Sequence, residues 1–205
     1  MASAEWERLQ QQGIHCLALG DPEYPYLLGQ CEDAPLLLFQ RGDFSFGNKR
    51  FISIVGTRKM TSQGRSFCEQ FLQDLAPYDP VVVSGLAYGV DISAHKAALR
   101  HGLQTIACLA HGLDRVYPKT HARYISDILC CGGLLTEFWL GTPAEPMNFV
   151  RRNRIIAGLS EATVVVESAL KGGSLITADL AFGYNREVFS VPGRPGMCPA
   201  RGVIS

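Results

Sequence analysis

The sequence predicts an open, doubly wound α/β domain: a mostly parallel sheet with helices on both faces, preceded by a small N-terminal cap. Three observations lead there. From Phe51 onward the pattern strand, glycine turn, helix repeats along the chain. The strand candidates are continuous apolar runs such as Val164-Val165-Val166, as expected for strands covered on both faces. The chain has 205 residues, 47% of them hydrophobic and 19% charged, which suits one full-sized domain with a substantial core and excludes general disorder.

Residues 1–46 read as the cap. A short amphipathic helix carrying Trp6 and Leu9 leads to a strand-like Ile14–Leu19. A turn over Asp21–Pro25 follows, then the apolar run Pro35–Phe39, closed by Arg41-Gly42-Asp43. No chemistry is evident in it. In residues 47–196 the strand candidates are Phe51–Val55, Val81–Val83, Gln104–Leu109, Gly133–Leu135, Ala162–Val166 and Glu187–Val191. Helices are expected near Thr61–Leu75, Val90–His101, Thr120–Leu129, Phe149–Leu159 and Ser174–Tyr184. Residues 197–205 form an atypical tail. In doubly wound sheets ligands sit beyond the carboxyl ends of the strands, so the loops after each strand are where function is sought.

Nineteen basic and nineteen acidic residues cancel, so any nucleic-acid site must be a local patch. No stretch approaches the about 18 uninterrupted apolar residues of a membrane span, and no signal-peptide pattern opens the chain. The seven cysteines include no C-x-x-C pair and read as buried, reduced thiols of a cytoplasmic protein. The five histidines show no metal-binding spacing, so no metal is expected.

Three strands end in polar, glycine-containing loops that open helices. They are Gly56-Thr57-Arg58-Lys59, with Thr61 or Ser62 as the cap, Ser84-Gly85-Leu86-Ala87-Tyr88-Gly89, and Lys171-Gly172-Gly173-Ser174, with Ser174 or Thr177 as the cap. Backbone N–H groups at a helix start attract anions, and Arg58 and Lys171 add full charges there. Neither G-x-x-x-x-G-K-[ST] nor G-x-G-x-x-G is present, which demotes a nucleotide cofactor and favours an extended polyanion. None of the other cofactors is implied.

The segment Asn148-Phe149-Val150-Arg151-Arg152-Asn153-Arg154 places three arginines in four positions beside an aromatic ring. On a helix Arg151 and Arg154 share a face and Arg152 points elsewhere. One reading is a phosphate-gripping turn with Phe149 stacked on a base; the other is a helix start with Phe149 in the core and Arg154 paired to a carboxylate. Asp91 and His95 read as a helix cap and its structural partner rather than an acid–base pair. Glu137 reads as a carboxylate holding Arg152 or Arg154. No arrangement suggests an enzyme.

Several runs, in order, carry a family resemblance: Val55–Arg58, Ser84–Asp91 with His95, Gly112–Pro118, Phe149–Ser160, Val165–Glu167, Lys171–Ala178 and Val188–Gly193. With the N-terminal Tyr24-Pro25 and Asp33-x-Pro35-x-x-Leu38-Phe39 pattern, they make the chain closely similar to the DNA-processing protein A (DprA/Smf) family over roughly residues 5–194. The resemblance implies an extended Rossmann-like fold and a cytoplasmic, homodimeric, non-enzymatic protein. Such a protein binds incoming single-stranded DNA without sequence preference during natural transformation, protects it, and loads a RecA-type recombinase. It implies DNA contacts at Thr57, Arg58, Ser84, Gly85, Phe149, Arg151, Arg152, Asn153, Arg154, Lys171, Gly172, Gly173, Ser174 and Thr177. The tail after Gly196 does not resemble the family's continuation, which suggests a truncation that would impair dimerisation and recombinase contact. The small helical domain usual ahead of the Tyr24-Pro25 region is also missing.

The alternatives are a nucleotide phosphoribohydrolase of the lysine-decarboxylase-like Rossmann group and a scaffold that recruits the recombinase but barely touches DNA. The first is disfavoured because no glutamate follows the Gly172-Gly173 pair by four or five residues. The DNA reading requires that Arg58, Lys171 and the arginine cluster, far apart in sequence, meet along one groove.

Overall fold

A computed structural model describes residues 2–47, 49–169 and 172–191. In chain order its elements are α1 (Ala2–Gln11), β1 (Ile14–Ala18), α2 (Tyr26–Gly29), β2 (Leu37–Arg41), β3 (Phe51–Gly56), α3 (Ser62–Leu75), β4 (Val81–Ser84) and α4 (Val90–Arg100). There follow β5 (Thr105–Cys108), α5 (Ile125–Cys130), β6 (Gly132–Thr136), α6 (Pro146–Leu159), β7 (Ala162–Val166), α7 (Gly173–Gly183) and β8 (Glu187–Ser190).

One sheet takes all of these strands, in the order β1-β2-β6-β5-β4-β3-β7-β8. From β6 to β8 neighbouring strands run parallel, and their inner members are buried along nearly their whole length. That double-sided burial is why the runs read as continuous rather than alternating. Successive residues nonetheless divide between two layers. Phe51, Val55, Val81, Val83 and Val165 pack with Ile155, Ile156 and Leu159 of α6. Ile54, Val82, Val164 and Val166 pack with Cys68 and Leu72 of α3 and Ala94, Ala97 and Ala98 of α4.

The N-terminal segment is built into this sheet. β1 and β2 pair antiparallel, and β2 continues antiparallel onto β6 with Phe39 opposite Thr136. Leu17, Tyr24, Leu28 and Leu38 enter the same core as α6. The expected helix Thr120–Leu129 is divided into a 3-10 turn, Lys119–Tyr124, and α5. Pro118 opens that turn, and the His121 Nδ1, 2.8 Å from the Leu86 carbonyl, ties it to the loop after β4.

The winding opens a crevice at one edge of the sheet. The chain lays β3, β4, β5 and β6 outward in one direction, then returns to add β7 and β8 on the other side of β3. The loops after β3 and β7 therefore diverge at the point where strand order reverses, which opens a crevice there. Among the described residues no helix is long and apolar enough to cross a membrane.

Candidate nucleic-acid interface

A cleft of about 480 Å³ lies at this reversal. Thr57 and Arg58 from the loop after β3 line it, together with Ala87 and Asp91 around the start of α4. Tyr117, Phe149, Arg152 and Asn153 line it as well, as do Gly172, Gly173, Ser174 and Thr177 at the start of α7. Lys171 lies outside the described residues.

The rim is formed by Arg58 and two rings. Arg58 is exposed, with its guanidinium carbon 5.4 Å from the centroid of the Phe149 ring. Tyr117 packs against the same ring at 5.6 Å, tilted by 59°. Phe149 is thus half-buried and faces the cleft, between a cation and a second aromatic. Glu167, at the end of β7, holds the Arg58 loop in place. Its carboxylate accepts the Thr61 N–H at 2.8 Å and the Thr61 hydroxyl, and its carbonyl accepts the Thr57 N–H at 2.7 Å. Thr61 in turn caps α3 by accepting the Gly64 N–H.

The floor holds two buried ionisable side chains, Arg152 and Asp91, on either side of Gly85, with no ion pair between them within 4.0 Å. Arg152 is 5% exposed and donates to the Cys108 carbonyl from Nη1 and to the Asn153 Oδ1 from Nε. Asp91 Oδ2 accepts the Ala87 N–H at 3.2 Å. Burial pushes the Asp91 carboxyl up, against the charge of Arg152, and pulls the Arg152 guanidinium down, against the charge of Asp91. A Cβ on Gly85 would overlap both the carboxylate and the guanidinium. The Gly85 carbonyl accepts from His95 Nε2 at 2.6 Å, and His95 Nδ1 lies 2.7 Å from Thr105 Oγ1. Burial holds the His95 imidazole down at about 4, so it is neutral. His95 is therefore a core residue whose partners are Thr105 and Gly85; Asp91 sits within the first turn of α4 and binds the loop N–H ahead of it.

Asn153 bridges to the other wall, its Nδ2 donating to the Gly173 carbonyl at 3.3 Å. Gly172 is the N-cap of α7 and no side chain bonds there. The glycine pair lets the chain enter the helix earlier than expected. Ser174 and Thr177 consequently lie inside the helix: Ser174 pairs with the Ser168 hydroxyl, and the Thr177 hydroxyl donates back to the Gly173 carbonyl.

The structure does not bring every expected residue to the cleft. Ser84 is fully buried, donating to the Ile54 carbonyl at 2.6 Å. Gly85 contributes the space it leaves and a carbonyl that is already taken by His95. Arg151 and Arg154, three apart on one face of α6, both turn to Oε2 of Glu137. Arg151 also lies over the Phe138 ring at 5.3 Å. Arg152 alone of the arginine cluster reaches the cleft, so the single groove expected to unite Arg58, Lys171 and the cluster holds, among the described residues, only Arg58 and Arg152 of them. Glu137, the carboxylate on which an enzymatic reading would turn, has its Oε2 taken by both arginines and its Oε1 buried without a hydrogen-bond partner among the described residues, and it does not line the cleft. Sequence reasoning passed over Tyr117 and Glu167 as site residues: both lie in runs it had noted, but no spacing rule assigns a loop tyrosine or a strand-end glutamate to a distant helix.

Of the six cysteines described, Cys31, Cys68 and Cys108 are buried, Cys16 is half-buried, and Cys130 and Cys131 are exposed. Burial pushes the Cys108 thiol, beside the cleft floor, up to about 12.

The sequence model of the family described as DNA recombination-mediator protein A matches residues 15–203. Protein Smf of Synechocystis sp. is 39% identical over 97% of this chain and 51% of its own length. The chain spans about half the length of such curated relatives. An X-ray structure of DNA processing protein A from Streptococcus pneumoniae superposes with a TM-score of 0.86 at 36% identity, over 93% of this chain and 68% of that one. DNA processing protein A from Helicobacter pylori, whose structure is described for its single-stranded DNA binding mode, superposes with a TM-score of 0.82. It is 29% identical over 91% of this chain and 84% of its own.

Proposed function

The chain belongs to the DNA recombination-mediator protein A family, and from that premise we propose that it binds single-stranded DNA in the cleft between the loops after β3 and β7. One observation carries the reading: Arg58, Phe149 and the glycine-opened start of α7, far apart in sequence, line one cleft. Arg58 supplies a charge for a phosphate, and the backbone at the start of α7 supplies N–H donors for another. Phe149 and Tyr117 offer ring surface to a base, which only an unpaired strand can present. Phosphate, backbone N–H and ring-face contacts carry no base code, so binding in this reading is without sequence preference. In this reading the protein turns nothing over. It protects incoming single strands in the cytoplasm during natural transformation and hands them to a RecA-type recombinase, acting as a homodimer.

The test is fluorescence anisotropy of an oligothymidine and of its duplex over a salt series. The single strand is expected to bind more tightly, with log affinity falling by about 0.7 per log unit of salt for each phosphate neutralised. Arg58→Ala should weaken binding by roughly tenfold or more, in line with about 1.5–3 kcal/mol for a charged hydrogen bond. Phe149→Ala should lose about 1–3 kcal/mol, the worth of one stacked base. Equal affinity for strand and duplex, or unchanged binding in both variants, would refute the reading and favour the recruiting scaffold.

A further inference from the structure

A second group of aromatic and cationic side chains lies just outside the cleft. Tyr88, in the loop after β4, is 48% exposed. Its hydroxyl lies 3.0 Å from Thr120 Oγ1, and its ring meets His121 edge-on at 4.9 Å. Close by, the ring of Tyr124 carries two cations, the Arg123 guanidinium at 4.8 Å and the Lys96 ammonium at 5.6 Å. Elsewhere in the molecule Arg50, Arg100, Arg151 and Arg154 are each paired with a carboxylate. Among the described residues, neither Arg123 nor Lys96 has a carboxylate within 4.0 Å. Asp127, the acidic residue nearest in sequence, lies beside the Ser126 hydroxyl instead.

This group is continuous with the cleft. Ala87, next to Tyr88, lines the cleft, and so does Tyr117, three residues before the threonine that holds the Tyr88 hydroxyl. A strand leaving the cleft over Tyr117 therefore meets a half-exposed ring first and a pair of uncompensated cations next. That succession, ring then charge, is what a groove for unpaired nucleic acid repeats along its length. An acidic peptide would satisfy the two cations but has no use for the ring or for continuity with the cleft.

We propose that Tyr88, Lys96 and Arg123 form a second contact station for the same single strand, engaging nucleotides that overhang the cleft. The inference rests on the single-strand reading above. Tyr124 positions the two cations by holding both over its ring, and Thr120 and His121 fix the orientation of Tyr88.

Oligothymidines of about 4 and about 16 nucleotides, spanning the usual footprints of single-strand sites, separate the two readings. Wild type is expected to bind the longer strand more tightly. The Lys96→Glu, Arg123→Glu double variant should lose about tenfold on the longer strand, with a shallower salt dependence, and stay within about twofold on the shorter. Tyr88→Ala should show the same selectivity more weakly, while Tyr88→Phe, which keeps the ring, should bind both lengths like wild type. Arg58→Ala should lose both lengths, and its failure to do so counts against the cleft, not the station. Wild-type affinity of the double variant for the longer strand overturns the proposal, as does equal loss on both lengths. Polyglutamate bound by wild type and lost in the double variant, with oligothymidine affinity unchanged, would assign the surface to an acidic peptide and overturn it too.

Discussion

The two sides of α6 handle positive charge in opposite ways. On the cleft side, Arg58 lies exposed over Phe149 with no carboxylate within 4.0 Å among the described residues, and Arg152 sits nearby, buried with Asp91. On the other side, Arg151 and Arg154 converge on the single carboxylate of Glu137. The arginine-rich segment is the denser cluster in sequence, yet most of its charge is already compensated. Of the arginines beside the cleft, the lone one after β3 is exposed and has no carboxylate within 4.0 Å among the described residues. Whether a charge is available to an anion depends on what the fold places opposite it, and charge density along the chain does not report that.

The largest expected effect breaks the comparison at the floor. In Arg152→Ala, Asp91 would stay buried without its cation and the Cys108 carbonyl would lose its donor. Losing that charged hydrogen bond costs about 1.5–3 kcal/mol and the buried side chain leaves a cavity besides, so urea denaturation at neutral pH should show a loss of about 3 kcal/mol or more. Wild-type stability with reduced DNA affinity would instead make Arg152 a ligand contact and erase the distinction between floor and rim.

The next effect is read through pH. The neutral His95 has a folded value of about 4 against about 6.5 when unfolded, so the unfolded chain takes up the proton first as pH falls. Its contribution is fully present above about pH 6.5 and is lost on going down to about pH 4, amounting to about 3 kcal/mol across that window. Denaturation of wild type and His95→Gln at several pH values should give curves whose difference narrows by that amount as pH falls. Parallel curves would mean that His95 is already protonated in the fold and that the floor carries a further positive charge.

Much of this arrangement was legible before any coordinates. Ala162–Val166 matches β7 to the residue, because a β-branched run with glycine loops beyond it has no other stable fate. The spacing of Arg151, Arg152 and Arg154 foretold their division between two faces of α6. What it left open was which face met a carboxylate, because Glu137 is 17 residues from Arg154 and is placed by the β6-to-α6 crossover. Ser84 misled because a serine before a glycine is a common phosphate ligand; here it ends β4, where its hydroxyl is taken by the neighbouring strand at Ile54. Tyr117, Tyr88 and Tyr124 could not be ranked at all. They sit in loops and a short 3-10 turn, without periodicity, and only the sheet's winding brings them beside Phe149 and α4.

The smallest effect is the most discriminating. Arg151 is the most exposed member of its cluster, with 54% of its side chain accessible, and its pair with Glu137 spans 3.2 Å. Glu137 keeps Arg154 when Arg151 is removed. Arg151→Ala should therefore change stability by no more than about 1 kcal/mol, the usual ceiling for an exposed pair. It should also leave the salt dependence of oligothymidine binding where it was, whereas removal of a phosphate contact lowers that slope by about 0.7. A slope reduced as far as in Arg58→Ala would place a phosphate on the Glu137 side of α6. The charge compensation there would then have to open when DNA binds, and the contrast between the two sides would describe only the unliganded state.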